Sequence, residues 1–130
     1  MNLEGMTTLI EVFDIDRSIE FYRSALGFEV HQQAGNDKGL GWAWLKGNGL
    51  DLMLNTMYNP GDAPEAPDAT RIKWHRDLTL YIGCSDIDAA YGHLVAVGIK
   101  ANTPEVAPYG MKQCYFSDPD GYGICLQWPA

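Results

Sequence analysis

Four side chains of this 130-residue chain are the candidates for catalysis or metal binding: Glu11, Asp51, His75 and Cys125. Carboxylates and imidazole act as general bases or metal ligands, and a thiolate is a nucleophile or a metal ligand. The four lie far apart in the sequence, so only the fold can bring them together. The elements that position them must therefore be identified first.

The chain contains the same helical pattern twice. Asp14 precedes an apolar, periodic segment that ends at Gly27, and Asp86 precedes a second such segment that ends at Gly98. An acidic N-cap, helical periodicity and a terminal glycine predict an amphipathic helix in each half. The helices start about seventy residues apart, which indicates an internal repeat.

Strands surround both predicted helices. Segments 7–12 and 78–84 precede them and are rich in β-branched or bulky residues. Further on, the Asn48-Gly49 turn and the turn at 118–121 each separate two more strands. We therefore expect one α+β domain of two βαβββ modules, at about 5–56 and 77–129.

A loop at 57–76 is expected to join the modules. It carries three prolines and several acidic residues and shows no periodicity. Loops of this length are functional or mobile. A plain linker is the favoured interpretation, and a lid over a ligand site is the alternative.

Two motifs resemble the glyoxalase/bleomycin-resistance/dioxygenase superfamily, the vicinal oxygen chelate proteins. They are DIDRS at 14–18, with FY at 21–22 and LGF at 26–28, and FSDPDGY at 116–122. The resemblance covers nearly the whole chain. It implies that both modules form a curved, cup-shaped mixed sheet with the helices on its outer face, and that the protein forms a homodimer.

Alternation along the strands separates the two faces of the sheet. The apolar face, expected beneath the helices, consists of Ile10, Val12, Leu50, Leu52, Leu54, Leu80, Ile82, Ile124 and Leu126. The mixed face consists of Thr7, Leu9, Glu11, Asp51, Met53, Asn55, Thr79, Tyr81, Cys125 and Gln127. Apolar area with a few polar groups suits a small-molecule site.

The tight turn at Asn48-Gly49 also sets a register for the first hairpin. It pairs Lys46 with Asp51, Trp44 with Met53 and Trp42 with Asn55, so both tryptophans join the mixed face. Their rings would stack on a planar or cationic ligand, or would fill a core or an interface. The predicted ligand-binding set is Trp42, Trp44, Glu11, Asp51, Met53, Thr79, Tyr81 and Cys125.

The resemblance also locates the metal ligands of the metal-dependent members. The matching positions here are Thr7, Asp51, Thr79 and Cys125. Threonine hydroxyls are poor ligands for Zn, Ni, Fe or Mn, which prefer imidazole, carboxylate or thiolate. We therefore predict no metal site and no cofactor.

The alternative is that the protein does bind a metal, through a ligand set shifted from the family positions to Glu11, Asp51 and His75. It would retain a glyoxalase-like lyase, isomerase or extradiol-type dioxygenase activity. Cys125 as a nucleophile is a further alternative, although a cysteine in an apolar strand is more often an inert packing residue. No catalytic residue is therefore assigned.

Composition limits the kinds of molecule that the protein is expected to bind. A net charge of −8 argues against nucleic acid and favours a cationic ligand, unless it serves only solubility. No apolar run reaches membrane-spanning length, and the three cysteines lack CxxC spacing, so we expect a cytoplasmic protein. The expected function is metal-independent binding of a small, cationic aromatic molecule, similar to bleomycin-resistance proteins. A dimeric interaction module is the remaining possibility.

Overall fold

The structure is a computed structural model that describes residues 1–35, 41–59 and 61–130. The chain divides into two compact units, Met1–Ala66 and Pro67–Ala130. Each unit contains one βαβββ module, so the predicted α+β fold with two modules is confirmed. Within the described residues, no helix combines the length and the apolar character that crossing a membrane requires.

The first unit has one helix and a four-stranded mixed sheet. Its elements are β1 (Thr8–Val12), α1 (Ile15–Leu26), β2 (Glu29–Gly35), β3 (Gly41–Gly47) and β4 (Leu50–Thr56). The strand order is β1-β4-β3-β2. The pairing of β1 with β4 is parallel, and the other pairings are antiparallel.

The second unit repeats this plan after a short helical segment. Its elements are α2 (Ala69–Trp74), a 3₁₀ turn (His75–Asp77), β5 (Thr79–Gly83), α3 (Ile87–Ala96), β6 (Glu105–Val106), β7 (Met111–Ser117) and β8 (Gly123–Pro129). The strand order is β5-β8-β7-β6. Again the first strand pairs in parallel with the last.

Helix α1 covers the apolar face of the first sheet. Its N-cap Asp14 accepts a hydrogen bond from the Arg17 amide, and Gly27 ends it in the left-handed region at φ 71°. Its buried residues are Ile15, Ser18, Ile19, Tyr22 and Ala25. On the strands, Ile10, Val12, Leu52 and Leu54 are at most 3% exposed. The predicted apolar face is confirmed there, except that Leu50 at the turn is 40% exposed.

Helix α3 has the corresponding role in the second unit. Ile87 and Leu94 of the helix are buried, as are Ile124 and Leu126 on β8. The other two predicted core residues, Leu80 and Ile82 on edge strand β5, are only partly buried.

The predicted hairpin register is confirmed residue by residue. Asn48 and Gly49 both have positive φ, 53° and 78°, as a type I′ turn requires. The turn pairs Gly47 with Leu50, and the register continues to Trp42 and Asn55.

The segment predicted as a loop at 57–76 contains a helix. Asp68 caps α2 by accepting hydrogen bonds from the Thr70 and Arg71 amides. Six helical residues are too few to show a period in the sequence. A contact with a distant part of the chain stabilises the helix, because Ile72 packs against Gly121. A Cβ atom at position 121 would clash with the Ile72 carbonyl oxygen.

The turn between β7 and β8 holds this helical segment in place. Asp118 is 5% exposed, and its Oδ1 accepts hydrogen bonds from the Asp120 and Tyr122 amides at 2.9 Å each. His75 Nδ1 donates to the Asp120 carbonyl oxygen at 2.6 Å, and the ring stacks on Tyr122 with centroids 4.2 Å apart. The DPDG motif is thus a structural anchor.

Replacing Asp118 should destabilise the protein strongly. Asp118→Ala leaves two buried amides without their acceptor, so we expect a loss of about 2 to 4 kcal/mol in the free energy of unfolding. Urea unfolding followed by tryptophan fluorescence measures it. Asp14→Ala, which removes one exposed cap bond, should cost about 1 kcal/mol. Equal losses in the two variants would contradict the anchoring role.

Candidate functional site

The mixed face of the first sheet carries two rows of candidate ligand contacts. Glu11, Asn55 and Trp42 form one row across β1, β4 and β3. The next row consists of Leu9, Met53 and Trp44, in which Met53 is half-buried between the other two strands. The strand register thus places six side chains that were predicted for this face in a compact array.

Glu11 is held in position by its neighbour on β4. Asn55 Nδ2 donates to both carboxylate oxygens of Glu11 at 3.1 Å, and also to the Thr56 carbonyl oxygen at 3.3 Å. The amide is neutral, so this contact orients the carboxylate without cancelling its charge. Trp42 lies in the same row, two strand spacings or about 10 Å from Glu11 between backbones.

Trp44 is engaged by three neighbours. Its Nε1 donates to Asp51 Oδ1 at 2.8 Å, Lys46 Nζ lies 4.7 Å from the ring centroid, and His31 meets the ring edge-on at 4.9 Å. Lys46 Nζ also lies 3.5 Å from Asp51 Oδ1. Asp51 therefore already interacts with a cation of its own chain, and Trp44 is part of the same cluster.

Trp42 and Trp44 thus differ in their interactions, although the sequence predicted the same role for both. Among the described residues, Trp42 has no hydrogen-bond or ring partner, and it is half-buried. Trp42 with Glu11 provides an aromatic surface near an oriented carboxylate. Trp44 and Asp51, in contrast, already interact with each other and with Lys46.

The second sheet carries a network of phenols and amides on the face of Tyr81. Tyr115 Oη donates to Gln113 Oε1 at 3.3 Å, and it lies 3.1 Å from Tyr81 Oη, within hydrogen-bonding distance. Gln113 Nε2 donates to Tyr109 Oη at 2.8 Å and to Gln127 Oε1 at 3.0 Å. This tyrosine–glutamine network orders five side chains.

The network joins a buried glutamine to exposed tyrosine rings. Gln113 is 6% exposed, whereas Tyr81 and Tyr109 are 55% and 68% exposed. The hydrogen bond with Tyr81, followed by burial, raises the pKa of Tyr115, so this phenol stays protonated as a donor. Tyr81 was predicted from the sequence, whereas Tyr109, Gln113 and Tyr115 were not. The alternation along β7 could have indicated Gln113 and Tyr115, while Tyr109 precedes that strand.

Cys125 lies on the predicted face but is not accessible. It pairs with Tyr115 across β7 and β8 and is fully buried. Burial raises the pKa of the Cys125 thiol, and the hydrogen bond with Tyr115 lowers it by less. The prediction that Cys125 lines a ligand surface is therefore wrong, because the side chain is fully buried. Thr79 lies over Gly123, where a Cβ atom would approach its Oγ1 to 2.8 Å.

The shifted metal set does not assemble within either unit. Glu11 pairs with Asn55, four residues from Asp51 on β4, which separates the two backbones by about 13 Å. His75 is engaged by the turn at Asp120 in the second unit. In the part of the chain that the structure describes, no three His, Cys, Asp or Glu side chains form a group suited to a metal ion.

Two βαβββ modules with a helix on one sheet face and polar and aromatic groups on the other define a known class of fold. Residues 7–126 match the model of the Glyoxalase/Bleomycin resistance protein/Dioxygenase superfamily. The chain belongs to this superfamily, as its two motifs predicted.

Several crystal structures are similar over nearly the full length. SMU.1112c is 28% identical with a TM-score of 0.75, covering 98% of this chain and 100% of that one. TnmS3, an antibiotic binding protein from Streptomyces sp. CB03234, is 25% identical with a TM-score of 0.68 and complete coverage of both chains. A bleomycin-binding protein complexed with bleomycin shares the fold at 20% identity and a TM-score of 0.72, covering 98% of this chain and 100% of that one.

Thiol reactivity should follow burial. Cys84 is partly exposed, whereas Cys114 and Cys125 are buried and burial raises the pKa of both. Iodoacetamide at about pH 8 should therefore modify Cys84 at least about tenfold faster than the other two. Peptide mass spectrometry measures the order, with the urea-unfolded chain as control. Fast modification of Cys125 would show that its thiol belongs to the open surface after all.

Proposed function

We propose that this protein binds a small cationic aromatic molecule and sequesters it without catalysis. The observation that carries the proposal is the row of Glu11, Asn55 and Trp42, in which an indole without a hydrogen-bond or ring partner among the described residues lies two strands from an oriented carboxylate. An indole face attracts a cation by about 0.5 to 2 kcal/mol, depending on how much water is excluded. The net charge of −8 favours the approach of cations.

The tyrosine–glutamine network supports a second contact surface for the same kind of ligand. Tyr109 accepts from Gln113 and so retains its own hydroxyl hydrogen for donation, and the Tyr81 oxygen retains acceptor capacity whichever phenol donates in its contact with Tyr115. Exposed tyrosine rings supply rigid apolar area beside these polar groups. A ligand with a flat ring and both hydrogen-bonding functions suits this surface.

The comparisons support the same class of ligand. A full-length relative at 25% identity is described as an antibiotic binding protein, and a bleomycin-binding protein has the same fold. Natural antibiotics with aromatic and basic groups are therefore the first compounds to test. We further propose that the protein works as a homodimer, as the family resemblance implies. We also propose that it resides in the cytoplasm, because its three cysteines are free thiols.

Paired tryptophan variants test the site. Trp42→Leu should raise the Kd of metal-free bleomycin or of 9-aminoacridine about 5- to 30-fold, because the open indole face is lost. Trp44→Leu is the matched control and should change the Kd less than about twofold, because that indole interacts with Asp51, Lys46 and His31. Isothermal titration calorimetry measures both.

Two outcomes of this titration would contradict the proposal. Equal losses in both variants would show that the row of Glu11 and Trp42 does not select the ligand. No heat of binding with bleomycin, 9-aminoacridine or a panel of related cationic aromatic compounds would exclude this ligand class.

Glu11→Gln should weaken binding of the same compounds and reduce the dependence of the Kd on salt, since it removes the charge and retains the shape of the side chain.

Metal independence is part of the proposal and is tested separately. A metal present at 100 times its Kd would stabilise the folded chain by about 2.7 kcal/mol, which raises the melting temperature by several degrees. We expect less than about 1 °C with Zn, Ni, Mn or Fe(II). A larger rise that His75→Ala abolishes would favour a metal-dependent lyase, isomerase or dioxygenase instead.

A further inference from the structure

Gln113 is the buried centre of the tyrosine–glutamine network in the second unit, with 6% of its surface exposed. Its Nε2 donates to Tyr109 Oη at 2.8 Å and to Gln127 Oε1 at 3.0 Å, so both amide hydrogens are used. Its Oε1 accepts a hydrogen bond from Tyr115 Oη at 3.3 Å. Because a buried amide is costly to leave unpaired, these contacts hold Gln113 in one orientation.

The orientation of Gln113 determines which atom of Gln127 is left for a ligand. Gln127 Oε1 accepts from Gln113, whereas Gln127 Nε2 has no hydrogen-bond partner among the described residues. Within the same part of the chain, no side-chain nitrogen or oxygen is both buried and without a hydrogen-bond partner. Gln127 Nε2 is therefore accessible to solvent, and it is a donor with two hydrogens.

Tyr109 supplies a second donor near the first. Its oxygen accepts from Gln113, so its own hydroxyl hydrogen remains for another acceptor. Tyr109 Oη and Gln127 Oε1 lie about 5 Å apart, since the two N–H bonds of one planar amide diverge by about 120°. The Gln127 amide and the Tyr109 hydroxyl are therefore close enough to donate to the same acceptor group.

We infer that these two donors bind the carbonyl oxygen of an aromatic ketone, ester or amide. The rings of Tyr109 and Tyr81, which are 68% and 55% exposed, supply apolar contact area for the aromatic part of the ligand. The five side chains of the network are uncharged and the chain has a net charge of −8, so a neutral carbonyl group is favoured over a carboxylate or a phosphate. This inference rests on the proposed function for the aromatic character of the ligand, and it adds the polar group that the second unit recognises.

Two probes of the same shape test the inference on the unaltered protein. They are 2-acetylnaphthalene and 2-isopropenylnaphthalene, in which a CH₂ group replaces the carbonyl oxygen. The side-chain amide signals of ¹⁵N-labelled protein report binding, and the Gln127 pair is assigned by its loss in Gln127→Glu. We expect these signals to shift saturably with the ketone and the alkene to bind at least about fivefold more weakly. Equal affinities, or no shift of the Gln127 amide with the ketone, would overturn the inference.

Gln127→Glu also separates ligand binding from a purely structural role of the network. It retains an oxygen that accepts from Gln113 and removes only the amide donor, so it should weaken ketone binding at least about fivefold. The backbone amide signals of β8 measure the Kd in this variant. Gln33→Glu is the control, because it makes the same charge change at an exposed residue of the first unit, and it should alter the Kd less than about twofold. Equal effects of the two variants would overturn the inference.

The outcome is distinguishable from that of the proposed function, because the ketone carries no charge. Cationic aromatic compounds that bind while the ketone does not would overturn only this inference. A ketone that binds through Gln127 while the cationic compounds do not would confirm it and would exclude only the cationic ligand class.

Discussion

Burial of one apolar sheet face beneath a single helix is the constraint on which each module depends. In the first module, Tyr22 of α1 and Leu54 of β4 are completely buried, and Ile10 and Leu52 are nearly so. Neighbouring side chains on a strand point to opposite sides, so this burial decides which residues remain for the other face. A slip of one residue would exchange the two faces, so the hydrophobic effect itself holds Glu11 and Trp42 away from the core.

This constraint explains why much of the fold could be predicted from the sequence. Capped helices, an Asn-Gly turn and alternating strands are local signals, and each is strengthened when it recurs in the second half. The hairpin register followed from the turn alone, because two residues with positive φ leave one way to pair the flanking strands. Helix α2 was missed, since its support comes from Gly121, far away in the sequence.

The chemistry of the site was less predictable than its position. The face of Trp44 was foreseen, but its contact with His31 depends on an irregularity of β2 between Val30 and Gln32. Cys125 was assigned to the correct face, yet its exposure depends on the size of Tyr115 opposite. Extending the register of the second hairpin from its turn would have found Tyr115 and Gln113. Strand alternation predicts which face of the sheet a side chain occupies, whereas its solvent accessibility depends on the neighbouring side chains.

The internal repeat allows the two mixed faces to be compared position by position. Tyr115, which pairs with Cys125, takes the place that Trp44 has beside Met53, and Gln113 corresponds in the same way to Trp42. Glu11 corresponds to Gly83, because Glu11 pairs with Asn55 and Gly83 pairs with Gln127 in the parallel pairings. The two modules therefore share a backbone plan, although the position of Glu11 carries a carboxylate in the first and no side chain at Gly83 in the second. Strand pairing therefore fixes the positions of these side chains, whereas their chemistry is set independently in each module.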